Sequence, residues 1–137
     1  MKDLPKHLVA IPDGNRRWAK NKGLVPWEGH REGVKKFWEV CEEVFQMGVP
    51  YFTFWAASED NLKKRSRIEV KFLVLILKNE LFDKSLFGRL EKNEVRLRVF
   101  GRWNEILESF FAKILLVSKT KSKASLRLSL ASFRVLP

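Results

Sequence analysis

Between Gly29 and Met47, Val34, Phe37, Trp38, Cys41, Val44 and Phe45 fall on one stripe, with Lys35, Lys36, Glu39, Glu42 and Glu43 mostly outside it. Apolar positions that recur every three or four residues mark a helix with one buried face. Gly48 just past the stripe and Pro50 beyond it supply the stop. Two short apolar runs flank this helix, His7-Leu8-Val9-Ala10-Ile11-Pro12 before it and Tyr51 to Ala57 after it. Runs of that length, bounded by turn or polar residues, read as buried strands. Ile68 to Phe87 is a second helical segment, apolar almost all round, and so is expected to be covered on more than one side. Val95 to Phe100 alternates apolar and basic residues, as a strand with one wet face does. Asn104 to Val117 reads as a helix capped by Asn104, and Leu126 to Leu130 as a last strand. Strands alternating with helices in this order predict an α/β domain with a mainly parallel central sheet flanked by helices.

Ligands of open parallel sheets collect at the carboxyl ends of the strands. Two polar segments sit there, Asp13 to His30 after the first strand and Ser58 to Arg67 after the second, both read as loops. In the first, Gly14 permits a tight turn and close approach of the backbone to a ligand. The amides that follow lie at a helix start and favour an anion. Arg16 and Arg17 add fork-shaped donors suited to phosphate oxygens. Asp13 would repel a bare phosphate, so its carboxylate makes sense there with a magnesium ion between the two. Taken alone, Asp-Gly is a common turn dipeptide and Arg-Arg an ordinary solvated pair. A lone histidine near a helix start, such as His30, is more often a cap or surface group than a catalyst.

Composition narrows the partners. The chain has 137 residues, 45% of them hydrophobic, enough for one domain with a packed core. Its net charge of +11 points to anionic partners. No acidic residue follows Glu108, whereas Lys113, Lys119, Lys121, Lys123, Arg127 and Arg134 do. The tryptophans sit mostly in strand and helix patterns rather than among the cations of this basic tail, so a nucleic-acid partner is not expected. The single cysteine, Cys41, excludes an internal disulfide and reads as a buried, inert thiol. No apolar signal region opens the sequence and the longest apolar run, Phe72 to Leu77, is far too short to span a bilayer, so a cytoplasmic location is expected.

The segment from His7 to Lys20, with Gly23-Leu24 and then Gly29-His30 and Gly33, resembles the first signature of the cis-prenyltransferases, the undecaprenyl diphosphate synthase family. Tyr51 to Ser66, followed by Glu69-Val70, is similar to that family's second signature, with one residue inserted near Lys63-Lys64, Asp60 in place of a glutamate and Leu62 in place of an aromatic residue. The resemblance implies a fold with a hydrophobic tunnel walled in part by the helix that starts at Ile68. It implies a catalytic Asp13 that binds Mg2+, and an allylic diphosphate (farnesyl diphosphate-like) held by Gly14, Asn15, Arg16, Arg17 and Trp18 and helped to depart by His30. On a loop that closes over the substrates, Ser58 and Arg65 would bind and Asn61 would act in catalysis. Pro26 stands where bacterial members often carry an arginine.

The activity implied is prenyl transfer from an allylic diphosphate to isopentenyl diphosphate, making a cis-polyprenyl diphosphate lipid carrier. A homodimer or a partner chain is implied as well, with peripheral membrane contact through the lipid product. On this resemblance residues 1–117 form the amino-terminal part of the domain, and residues 118–137 are a basic tail with one candidate strand, divergent or frameshifted. The family's later Arg-x-x-Gly-Glu signature, which grips isopentenyl diphosphate, is absent from the sequence. The fold is therefore expected to be incomplete at its C-terminus and turnover impaired. The alternative is a non-catalytic subunit that binds an allylic diphosphate.

Overall fold

A computed structural model describes residues 3–100 and 124–130; the side chains at positions 59, 61, 62, 81, 82, 84, 87, 124 and 126–130 lie outside that description. In chain order the elements are β1 (His7–Ala10), α1 (Asn15–Asn21), α2 (Pro26–Gln46), β2 (Tyr51–Ala57), α3 (Glu59–Lys64), α4 (Arg67–Phe82), α5 (Lys84–Lys92), β3 (Val95–Phe100) and β4 (Ala124–Leu130). The strands form one sheet in the order β1-β2-β4-β3, and every pairing is parallel. The expected parallel α/β architecture is therefore present. The last described strand in sequence is an interior one: β4 lies between β2 and β3, with Leu126 beside Phe52 on one side and Leu97 on the other.

The core forms on one face of this sheet. Phe37, Cys41 and Val44 from the α2 stripe meet Phe52 of β2, Leu86 and Leu90 of α5, and Val95 and Leu97 of β3. The Phe37 ring centroid lies 4.3 Å from that of Phe54, in a tilted arrangement favourable for aromatic pairs. Cys41 is buried, and burial pushes its thiol pKa up, so it packs as a small apolar residue.

Three segments differ from the sequence reading. The stretch from Asp13 to His30 is not one loop but holds α1 and the first turn of α2, which starts at Pro26, a residue pre-set for the first helical position. The short α1 buries only Ala19, too little to print a periodic stripe. The stretch after β2 likewise contains α3, a helix of under two turns. The segment from Ile68 to Phe87 is two helices that break at Asp83, whose carboxylate accepts a 2.8 Å hydrogen bond from the Ser85 amide and caps α5. The helix expected over Asn104 to Val117 lies outside the described residues.

The pairing of α1 with α2 sets up the cleft. A β-carbon on Gly29 would land on the Asn15 carbonyl oxygen, and one on Gly33 would come within 2.7 Å of the Asn15 amide group. Glycine at position 29 lets the backbone of α1 close on the longer helix, and glycine at 33 leaves room for the Asn15 side chain. This close approach fixes the direction in which residues 13–17 leave the sheet.

Candidate functional site

The chain leaves β1 through Ile11 and Pro12 and turns at Gly14, whose φ of 103° lies in the left-handed region that favours glycine. Gly14 is the N-cap residue of α1, and its carbonyl accepts from the Trp18 amide at 2.8 Å. The turn forms one wall of a cleft of about 960 Å³. Asp13, Gly14, Asn15, Arg16, Arg17 and Lys20 line this wall, His30 comes from α2, and Ser58 and Arg65 close the far side from beyond β2. Ile11, Leu24, Trp55 and Ala56 add an apolar surface to the same cleft. Residues from the two polar segments thus face one another across the carboxyl ends of β1 and β2.

Two carboxylates organise the cleft. Asp13 stands on the rim with its side chain 85% exposed, and its Oδ2 accepts from Arg17 at 2.8 Å. Glu69 lies beneath, with its side chain 5% exposed, and its Oε1 faces Arg16 Nε at 3.5 Å, Arg65 Nε at 3.5 Å and His30 Nε2 at 3.3 Å. One buried oxygen therefore faces cationic or donor groups from α1, α2 and the segment joining α3 to α4. Glu69 had no role assigned in the sequence reading. Its visible signal is Ser66 three residues earlier, the spacing of a capping box, and the Ser66 hydroxyl does accept from the Glu69 amide at 3.2 Å. The carboxylate itself turns toward Arg16, Arg65 and His30, three residues that line the cleft. An acid placed among Lys63, Lys64, Arg65 and Arg67 was the hint the spacing left unused.

Burial lowers the pKa of His30 below 6.5, with the hydrogen bond to Glu69 opposing that shift. The imidazole is accordingly neutral near pH 7. Its Nε2 faces the Glu69 carboxylate oxygen at 3.3 Å.

The remaining predicted residues separate. Trp18 faces a second, mainly apolar cleft of about 520 Å³ on the other side of the turn, together with Phe37, Val40, Phe52 and Phe54. Asp13, Gly14 and Asn15 line both clefts; among the described residues α4 contributes none to the apolar one. Asn61 lies on α3, with its side chain outside the description. Pro26 lines the basic cleft, and so does Lys20, a cation the sequence reading passed over. Among the described residues no group of three or more His, Cys, Asp or Glu side chains could hold a metal ion, and no helix is long and apolar enough to cross a membrane.

At the carboxyl ends of the first two strands of this parallel α/β sheet, Arg16, Arg17 and Arg65 line one cleft. The sequence model of the prenyltransferase family of undecaprenyl diphosphate synthases matches residues 11–133, and the chain belongs to that family. Dehydrodolichyl diphosphate synthase 2 of Arabidopsis thaliana is 40% identical over 129 residues, covering 93% of this chain and 41% of the relative. An isoprenyl transferase of Rickettsia felis is 38% identical over 109 residues, covering 80% of this chain and 45% of the relative. Among solved structures, lavandulyl diphosphate synthase from Lavandula x intermedia in complex with dimethylallyl diphosphate aligns with a TM-score of 0.81 at 28% identity, over 92% of this chain and 54% of that one. The chain thus spans less than half the length of these two sequence relatives. Membership of the family is consistent with a metal cofactor.

Proposed function

We propose that the basic cleft binds an allylic diphosphate together with Mg2+, and that the protein transfers the prenyl group to isopentenyl diphosphate to build a cis-polyprenyl diphosphate. The observation that carries this reading is the convergence of Asp13, Arg16, Arg17 and Arg65 on one cleft that also has an apolar wall. Arg17 and Arg65 offer guanidinium forks to the diphosphate oxygens, and Arg16 adds a third on the α1 side. The apolar wall of Ile11, Leu24, Trp55 and Ala56 suits the hydrocarbon next to the diphosphate. The lavender structure supports the substrate class, since it was solved with dimethylallyl diphosphate.

The donor set fits magnesium in one way. A single exposed carboxylate, Asp13, is too little to hold the ion alone, but magnesium keeps several waters and is commonly shared between one carboxylate and substrate phosphates. Held so, magnesium would supply positive charge where the leaving oxygens become negative. The carbon–oxygen bond of the allylic ester breaks, the isopentenyl double bond attacks that carbon, and a proton is lost to leave the new double bond. The arginines stabilise the charge that develops on the departing diphosphate. His30 lines the same cleft with Nε2 facing the buried Glu69 carboxylate, and its role beside the leaving oxygens is part of this reading.

The family's isopentenyl diphosphate signature lies outside this sequence, so we place completion of the second substrate site in further residues or a partner chain, with a homodimer as the simplest assembly. Contact with a membrane would follow from the lipid product. The alternative reading is a subunit that binds the allylic diphosphate without turnover.

Calorimetric titration with farnesyl diphosphate, with and without magnesium, tests the common part of both readings. Metal-dependent binding by the wild type that is lost in Asp13→Ala supports it, and equal binding by both proteins overturns it. Incorporation of labelled isopentenyl diphosphate by the chain separates the enzyme from the binding subunit.

A further inference from the structure

We propose that Trp27 and Phe72 form a clasp that holds Glu69 at its working distance from the cations of the cleft, which makes these two rings positioning residues for the diphosphate site. The inference rests on the diphosphate reading above. The two rings stack with centroids 4.5 Å apart and planes 13° from parallel. Trp27 precedes His30 by one helical turn on α2, and Phe72 follows Glu69 by one turn on α4. The aromatic stack and the 3.3 Å contact between His30 and Glu69 are therefore adjacent rungs joining the same two helices.

The lengths of the polar contacts show why a clasp is needed. Oε1 of Glu69 lies 3.3 to 3.5 Å from its three partners, where close charge-assisted hydrogen bonds run at about 2.7–2.9 Å. Contacts that long vary softly with distance and do not by themselves fix where the carboxylate sits. Its position is set by the helix that carries it, and α2 is the main neighbour of α4. A second tie, Trp38 Nε1 donating to Glu80 Oε2 at 2.9 Å, joins the two helices eight residues further along α2 than His30. The stack is thus an apolar contact between the two helices one turn from the carboxylate. Its loss leaves α4 attached at the far rung and free to shift at the near one. Arg16 and Arg65 take their orientation from Glu69 and would shift with it.

The test measures affinity for inorganic pyrophosphate with magnesium by calorimetry, together with the melting temperature, on the full chain. Phe72→Leu and Trp27→Leu remove the stack while keeping apolar bulk, Phe72→Tyr keeps the ring, and Trp38→Phe removes the far rung and leaves the stack in place. The clasp predicts about a tenfold loss of affinity for both leucine variants at temperatures where they remain folded. It predicts wild-type affinity for Phe72→Tyr, and for Trp38→Phe a lower melting temperature with affinity unchanged. Leucine variants that melt earlier yet bind pyrophosphate like the wild type overturn the clasp alone. A wild-type chain that binds no pyrophosphate overturns the diphosphate reading and the clasp with it.

Discussion

Asp13 on the rim of the cleft and Glu69 beneath it are each paired with arginine, and their surroundings are opposite. Asp13 is largely in water and holds one exposed partner, Arg17, at 2.8 Å. Such a surface pair contributes at most about 0.5 kcal/mol and exchanges readily, which suits a group that must release its arginine when a metal-bound ligand arrives. Glu69 is sequestered and shared by His30, Arg16 and Arg65 at longer distances. Removing one member of a buried charge cluster strands the others, which suits a fixed counter-charge that holds basic side chains in place before any ligand is present. Position in the cleft, more than chemical type, separates the transient partner from the permanent one.

Substitutions can sharpen or break this contrast. Glu69→Leu has the largest expected effect on stability, about 3 kcal/mol by urea unfolding, at the lower end for buried ion pairs because Arg16 retains access to water. A loss below about 0.5 kcal/mol would place Glu69 with ordinary surface acids. Asp13→Ala is expected to leave stability within about 0.5 kcal/mol of the wild type while costing about 100-fold in affinity for the magnesium diphosphate. If Asp13→Ala unfolds as Glu69→Leu does, the distinction fails. Arg17→Gln removes one charged fork and should cost about tenfold in diphosphate affinity by calorimetry, since Arg16, Lys20 and Arg65 remain in the cleft.

The smallest effect is on pH dependence. Burial lowers the His30 pKa from 6.5, so in acid the unfolded chain takes up this proton more readily than the folded one. Stability that is fully present above pH 6.5 should therefore decline as the pH falls toward the folded value. His30→Asn should flatten that part of the stability–pH curve. A slope unchanged by the substitution would mean that the buried imidazole is not its source.

The sequence carried the parallel sheet and the exposed half of the site because both are written in contiguous residues. The α2 stripe, the apolar runs of β1 and β2, and the string from Asp13 to Arg17 can each be read locally. Even β4, far along the chain, was visible as an apolar alternation, although nothing local announces that it inserts between β2 and β3. The buried half was hidden because Glu69 gains its meaning only when α1, α2 and the start of α4 meet. Its spacing from Ser66 reads as a capping box, and capping is satisfied by the local amide while the side chain serves a distant cluster. Short helices were lost for a related reason: α1 buries only Ala19, and α3 is under two turns long, too short for a periodic pattern. The break at Asp83 was masked by apolar residues on both sides of a capping acid.

The most direct test of the account is where a magnesium diphosphate touches the protein. Backbone amide NMR shifts followed during titration with magnesium pyrophosphate should change most at Gly14, Asn15, Arg16 and Arg17, with linked changes at His30 and Arg65 and little change at the α5 positions around Leu90. Changes centred away from that turn, or none at saturating ligand, would contradict it.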